Sequence, residues 1–172
     1  MKTASDFGFV KVAAVSPKVA VANPEKNAEY ILNAISPQEK TGAQVILLPE
    51  LCLSAYTCAD LFHQDSLIFG CEQALKRILE ETAKTPAVIC LGMPVRVGSA
   101  LYNCGIVIQS GKILGAVPKE YLPNYQEFYE KRWFAPGSSA PERISLCGQD
   151  APCGRLLFRF GELVMGVEIC ED

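Results

Sequence analysis

Three apolar runs in this 172-residue chain end on a polar residue that can do chemistry. "VILLPE" leads into Glu50, "ILGAVPK" into Lys119, and "LVMGVEIC" into Cys170. Each reads as a strand that delivers its last residue past the sheet. Pro49 and Pro118 cannot donate to a ladder, which favours release of the chain just before Glu50 and Lys119. Ligand sites in open α/β sheets lie beyond the carboxyl ends of strands, so the three residues converge if their strands are neighbours. Glutamate, lysine and cysteine together suffice for amide hydrolysis. The thiolate attacks the carbonyl, the lysine steadies the oxyanion and the carboxylate moves protons. A lysine beside the thiol also favours the thiolate that attacks.

Judged singly, each residue has a plainer reading. A glutamate or lysine after a strand is usually solvated, and a cysteine ending a strand is usually core. Competing machinery is scarce, however. The chain has one histidine, His63 in "DLFHQDS", which any Cys-His or Ser-His-Asp system would have to use. There is no GxSxG elbow, P-loop or GxGxxG fingerprint. A carboxylate is therefore the base expected for Cys170. Alternation puts Leu163, Met165, Val167 and Ile169 on one apolar face, and Val164, Gly166, Glu168 and Cys170 on the other. Cys170 is thus expected off the greasy side.

The other cysteines set the background. There are eight, at positions 52, 58, 71, 90, 104, 147, 153 and 170, with no CxxC pair and no Cys/His ligand spacing. Several lie in apolar runs such as "AVICLG", where free cysteine behaves as a small hydrophobe. Asp6 and Lys11 interrupt the N-terminal stretch, so it does not read as a secretory leader. Reduced thiols in the cytoplasm follow, rather than a disulfide framework or a metal site. No run approaches the roughly 18 apolar residues of a membrane span. A net charge of −3 with scattered basic residues argues against a nucleic-acid surface.

The elements that must position these residues are legible as a β-α-β-α-β series followed by hairpins. Strands are expected over 9–15, 45–48 and 87–92. Asn23-Pro24 caps a helix carrying Ala28, Ile31, Leu32 and Ile35 on one face, ended by Pro37 and Gly42. A second helix carries Ile68, Cys71, Leu75, Ile78 and Leu79. Strands over 101–109 and 112–117 turn at Ser110-Gly111, and those over 155–160 and 163–170 turn at Gly161-Glu162. A long polar and aromatic loop lies between. This order predicts one domain with a mixed sheet and helices on one face.

The motifs around the three strand ends resemble the nitrilase superfamily, an α/β fold built as an α-β-β-α sandwich with a Glu-Lys-Cys triad. "LLPELCLSAYTCADLF", "LPNYQEFYEKRWFAPG" and "GVEICED" resemble, more narrowly, the glutaminase domain of glutamine-dependent NAD⁺ synthetases. The resemblance implies Glu50 as general base and acid, Lys119 as oxyanion stabiliser and Cys170 as nucleophile. It makes Glu127 the extra glutamate near the triad and the Glu171 backbone N–H a second oxyanion donor. Tyr56, Tyr125, Phe128 and Glu130 match positions that shape the glutamine pocket. The implied reaction releases ammonia from glutamine for a C-terminal synthetase domain that amidates deamido-NAD⁺. The glutaminase half needs no cofactor, while ATP and Mg²⁺ serve the synthetase half. A homo-oligomer is implied, with no nucleic-acid or membrane partner.

The sequence stops two residues after Cys170, so residues 1–172 are expected to be the N-terminal portion of such a glutaminase domain. The sandwich is then present only in part, and the synthetase domain is absent. Two alternatives stay open on the residues alone: an amidohydrolase acting on another small amide, and a non-catalytic fragment.

Overall fold

The structure, a computed structural model, describes residues 7–172. The reading of Asp6 as part of a non-leader N-terminus lies outside them. The described chain runs β1 (Val12–Ala14), α1 (Pro24–Lys40), β2 (Val45–Leu47), α2 (Asp65–Glu81), β3 (Val88–Val97), β4 (Ala100–Gln109), β5 (Lys112–Pro118). It continues through β6 (Arg143–Leu146), β7 (Gln149–Pro152), β8 (Leu157–Phe160) and β9 (Leu163–Gly166).

The main sheet has the order β1-β2-β3-β4-β5, with β1, β2 and β3 parallel and β3, β4 and β5 antiparallel. That is the mixed sheet expected from the element order. The register aligns Leu47 with Cys90, Gly92 with Gly105, and Cys104 with Pro118. Cys104 also pairs with Met93, so β5 ends three residues further along the sheet than β2, and Glu50, three residues beyond Leu47, comes out near the end of β5 on the other side of β3 and β4.

Both helices face as their sequences dictate, and α1 also starts where its cap predicts. The Asn23 side chain accepts the Lys26 N–H at 3.1 Å, and Pro24 needs no partner at the first helical position. Ala28, Ile31 and Ile35 of α1 are buried, as are Leu67, Cys71, Ala74, Leu75, Ile78 and Leu79 of α2. The two helices pack side by side on one face of the sheet, over Ile46, Leu91, Met93, Cys104 and Ile106. The opposite face, from Val45, Val88, Val107 and Val117, is covered by Phe158 of the β8–β9 hairpin.

Several boundaries differ from expectation. Helix α1 continues past Pro37 to Lys40, because a proline in the last turn forfeits only one hydrogen bond. Strand β3 extends beyond Gly92 to Val97 and contains Pro94. Pro94 faces Asn103, whose carbonyl is taken by Lys119, so this pair needs no N–H from proline. Leu47 is exposed although every residue of the run 45–48 is apolar. Strand β9 stops at Gly166, four residues short of Cys170, yet the alternation persists and Ile169 is buried.

Candidate active site

Glu50 is set by the turn that follows β2. Leu48 donates to the Cys90 carbonyl at 2.9 Å, after which the chain leaves the sheet through Pro49 and turns with Leu51 at φ 49°. The turn lies directly on β3: a Cβ on Gly92 would stand 2.2 Å from the Leu51 nitrogen and 2.8 Å from the Glu50 Cα. Only glycine allows that approach. Buried Asn27 holds the far side of the turn, donating to the carbonyls of Ala20 and Leu53 at 2.8 and 2.9 Å.

Lys119 follows β5. Its N–H donates to the Asn103 carbonyl at 2.7 Å, continuing the ladder by one residue, and its side chain is fully buried. The ammonium donates to Glu50 Oε1 and to Glu130 Oε1, both at 2.8 Å. Burial pulls its pKa down, but the hydrogen bonds to Glu130 and Glu50 outweigh that and hold it above the ordinary 10.5. A buried ammonium between two carboxylates is fixed in position and in charge.

Glu130 is itself buried, at 1% exposure, and is locked from two sides. Its N–H donates to the Pro123 carbonyl at 3.1 Å, and Oε1 accepts the Tyr56 hydroxyl at 2.8 Å. Burial, reinforced by that bond to Glu130, holds the Tyr56 phenol well above its ordinary range. A surface staple braces the same contact. Asp60 accepts Arg132 Nε and Nη2 at 2.6 and 2.8 Å and the Trp133 indole N–H at 3.0 Å. Asp60 and Tyr56 belong to one 3₁₀ segment, Tyr56–His63, while Arg132 and Trp133 follow Glu130 directly.

Cys170 sits in a left-handed turn at φ 57° and is exposed. Asp172, two residues on, clamps that turn. The Asp172 carboxylate accepts the backbone N–H groups of Glu120 and Tyr121, each at 2.9 Å, and of Ile169 at 3.3 Å. One side chain therefore ties the Cys170 turn to the residues just after Lys119. Cys170 and Glu50 line a common cleft of about 230 Å³, with Gly92, Gly105 and Ile169 in its walls.

The other seven cysteines are buried or half-buried. Burial raises every one of their thiol pKa values, to about 12 for Cys52, about 11 for Cys90 and about 12 for Cys147. Cys170 is thus the one thiol of the chain open to solvent and beside charged groups.

The remaining expected residues divide. Tyr56, Phe128 and Tyr125 form an edge-to-face series, with centroids 6.5 and 5.8 Å apart, and the Tyr125 hydroxyl donates to Glu171. Glu127 is exposed on the loop, and the second carboxylate at Lys119 is Glu130 instead. Eight residues of loop with no repeating geometry do not set which glutamate turns inward; the turn at Gln126, φ 52°, and the 3₁₀ turn Glu130–Arg132 do. Asn103, Gly92, Asp60 and Asp172 were not singled out from the sequence. Asn103 was detectable as a lone amide inside the apolar run "LYNCGIVI"; the others carry no local signal.

This arrangement has relatives. Residues 11–172 match the carbon-nitrogen hydrolase family. The chain belongs to that family. A glutamine-dependent NAD(+) synthetase from Mycobacterium bovis is 40% identical over 174 residues, covering 99% of this chain and 26% of that protein. The crystal structure of a glutamine-dependent NAD(+) synthetase from Cytophaga hutchinsonii superposes with a TM-score of 0.85 at 29% identity, covering 95% of this chain and 28% of that one. NitN amidase from Neterenkonia sp. AN1, at 17% identity, shares the fold with a TM-score of 0.72 over 95% of this chain and 58% of its own. This carbon-nitrogen hydrolase chain spans about a quarter of the length of the synthetases it matches. Its fold is α/β of the nitrilase kind, here one mixed sheet with its helix layer and the β8–β9 hairpin on the other face. No helix among the described residues is long and apolar enough to cross a membrane.

Proposed function

We propose that this chain is the amide-hydrolysing portion of a glutamine-dependent NAD⁺ synthetase and cleaves the glutamine side-chain amide through a Cys170 thioester. The observation that carries this reading is Lys119, a fully buried ammonium held at 2.8 Å by both Glu50 and Glu130. A cleft shared by Glu50 and an exposed cysteine adjoins it. The 40% identity to a synthetase supports the choice of glutamine.

In the proposed reaction Glu50 takes the thiol proton as Sγ bonds to the carboxamide carbon. The oxyanion gathers against Lys119 Nζ and the Glu171 N–H. Glu50 passes the proton to nitrogen, the C–N bond breaks and ammonia leaves, with the acyl group on sulfur. Glu50 then takes a proton from water as it attacks the thioester; the C–S bond breaks, the thiol is restored and glutamate departs. Tyr56, Tyr125, Phe128 and Glu171 wall the substrate pocket. In this reading the second carboxylate is Glu130, buried against Lys119, rather than exposed Glu127.

In the larger protein, ammonia passes to a C-terminal synthetase domain that amidates deamido-NAD⁺ with ATP and Mg²⁺, within a cytoplasmic homo-oligomer. ATP and Mg²⁺ serve that domain's amidation in this reading, and none of the steps above calls on them.

The test is labelling with a glutamine-like diazoketone, mapped by peptide mass spectrometry, alongside ammonia release from glutamine and from small aliphatic amides. The adduct is expected at Cys170, lost in Cys170→Ala and kept in Cys90→Ala. Equal labelling of all eight cysteines would refute a nucleophile at Cys170. Faster ammonia release from a small amide than from glutamine would move the chain to the amidases.

A further inference from the structure

We propose that Asn103 is a positioning residue that assigns the two oxygens of Glu50 to different tasks, an inference that rests on the amide-hydrolysis reading above. Asn103 lies inside β4, in a run from Leu101 to Ile108 in which every residue is buried, and is itself 1% exposed. An amide is costly in such a place unless its polar atoms are used. Its Nδ2 donates to Glu50 Oε1 at 2.6 Å, and its backbone carbonyl accepts the Lys119 N–H at 2.7 Å. One residue therefore holds the Glu50 carboxylate by its side chain and the Lys119 backbone by its main chain.

The amide orientation carries the argument further. Asn103 Oδ1 is buried and has no hydrogen-bond partner. Turning the amide over would not cure this, because Oδ1 would then face the Glu50 carboxylate, acceptor against acceptor. The donor is thus committed to Glu50 and the orphaned oxygen is its cost. Glu50 Oε1 consequently receives two donors, Asn103 Nδ2 and Lys119 Nζ, both fixed in the core. Its lone pairs are occupied, so proton traffic with Cys170, ammonia and water runs through Oε2. Without Asn103 the carboxylate rotates about its last bond and Lys119 alone cannot keep the two oxygens distinct.

Asn103→Leu removes both the donor and the orphaned oxygen while keeping the same heavy-atom branching, and Asn103→Asp replaces the donor with an acceptor. Each is assayed in this chain for ammonia release from glutamine and for the rate of chloroacetamide alkylation of Cys170. Asn103→Leu is expected to lower kcat and the alkylation rate by about tenfold or more with KM changed by less than about twofold. Asn103→Asp lowers both further, because an acceptor then faces the Glu50 carboxylate. The thermal unfolding midpoint of Asn103→Leu stays close to wild type, since loss of the unsatisfied oxygen offsets the bulkier methyl groups. Unchanged kcat and alkylation rates in both variants, or a loss of activity that only tracks lost stability, would overturn the proposal. A wild-type chain that alkylates at Cys170 but releases no ammonia sinks the amide-hydrolysis reading instead, and the alkylation rates still decide the role of Asn103.

Discussion

Gly92→Ala is the substitution through which the site can be broken with a single methyl group. A Cβ at position 92 would lie 2.2 Å from the Leu51 nitrogen and 2.8 Å from both the Glu50 Cα and its carbonyl carbon. All three are backbone atoms, so no side chain can swing away. Ordinary contact requires the turn to retreat from β3 by about an ångström, and overpacking of this kind costs roughly 1–3 kcal/mol. A displacement of about 1 Å at a catalytic group lowers turnover by about 10²-fold. Gly70→Ala is the matched control. Its Cβ would meet Pro24 Cγ at 3.4 Å, an ordinary contact, and alanine is better than glycine inside a helix such as α2 by roughly 0.5–1 kcal/mol. Urea unfolding should therefore move in opposite directions for the two variants. Ammonia release should fall only in Gly92→Ala, by more than the change in folded fraction explains. Wild-type stability and turnover in Gly92→Ala would refute the claim that the Glu50 turn is seated on β3.

Four further outcomes follow from the same geometry. Glu130→Gln, which weakens a fully buried charge pair at Lys119, should destabilise the fold by about 1–3 kcal/mol and suppress Cys170 alkylation. Glu127→Gln on the exposed loop should stay within about 0.5 kcal/mol of wild type by the same urea assay. Because Lys119 is held above 10.5, its contribution to stability is complete below that pH and is lost as pH rises through the folded value; a Lys119→Met variant should show a flatter stability curve in the alkaline range. Asp60 is held well below the usual carboxylate range by Arg132 and Trp133, so its contribution is present above its unfolded pKa and lost only as pH falls through the depressed folded one. Trp133 is the single tryptophan, and its fluorescence should stay constant through the pH range where an ordinary aspartate titrates, but shift at neutral pH in Asp60→Asn.

Local pattern was enough to find the helices, since the Asn23-Pro24 cap and the apolar faces of α1 and α2 depend on neighbours within one or two turns. It was also enough to single out Glu50, Lys119 and Cys170 as candidates, because apolar runs ending in a polar residue are visible one strand at a time. The alternation from Leu163 to Cys170 likewise predicted the exposed thiol, even though β9 ends at Gly166. What lay out of reach was every contact between those ends. Glu127 and Glu130 differ by three positions on a loop without periodicity, so only packing against Tyr56 and Lys119 decides that Glu130 turns inward. The strand order that sets Glu50 against Lys119, the seat of the Glu50 turn on Gly92 and the clamp of Asp172 on Glu120 and Tyr121 join residues roughly 40 to 70 positions apart. Sequence thus determined which residues could do the chemistry, through side-chain type and local period. Tertiary structure decided which of them meet, because a distance of a few ångströms across the sheet is set by register and packing, which no single stretch of chain contains.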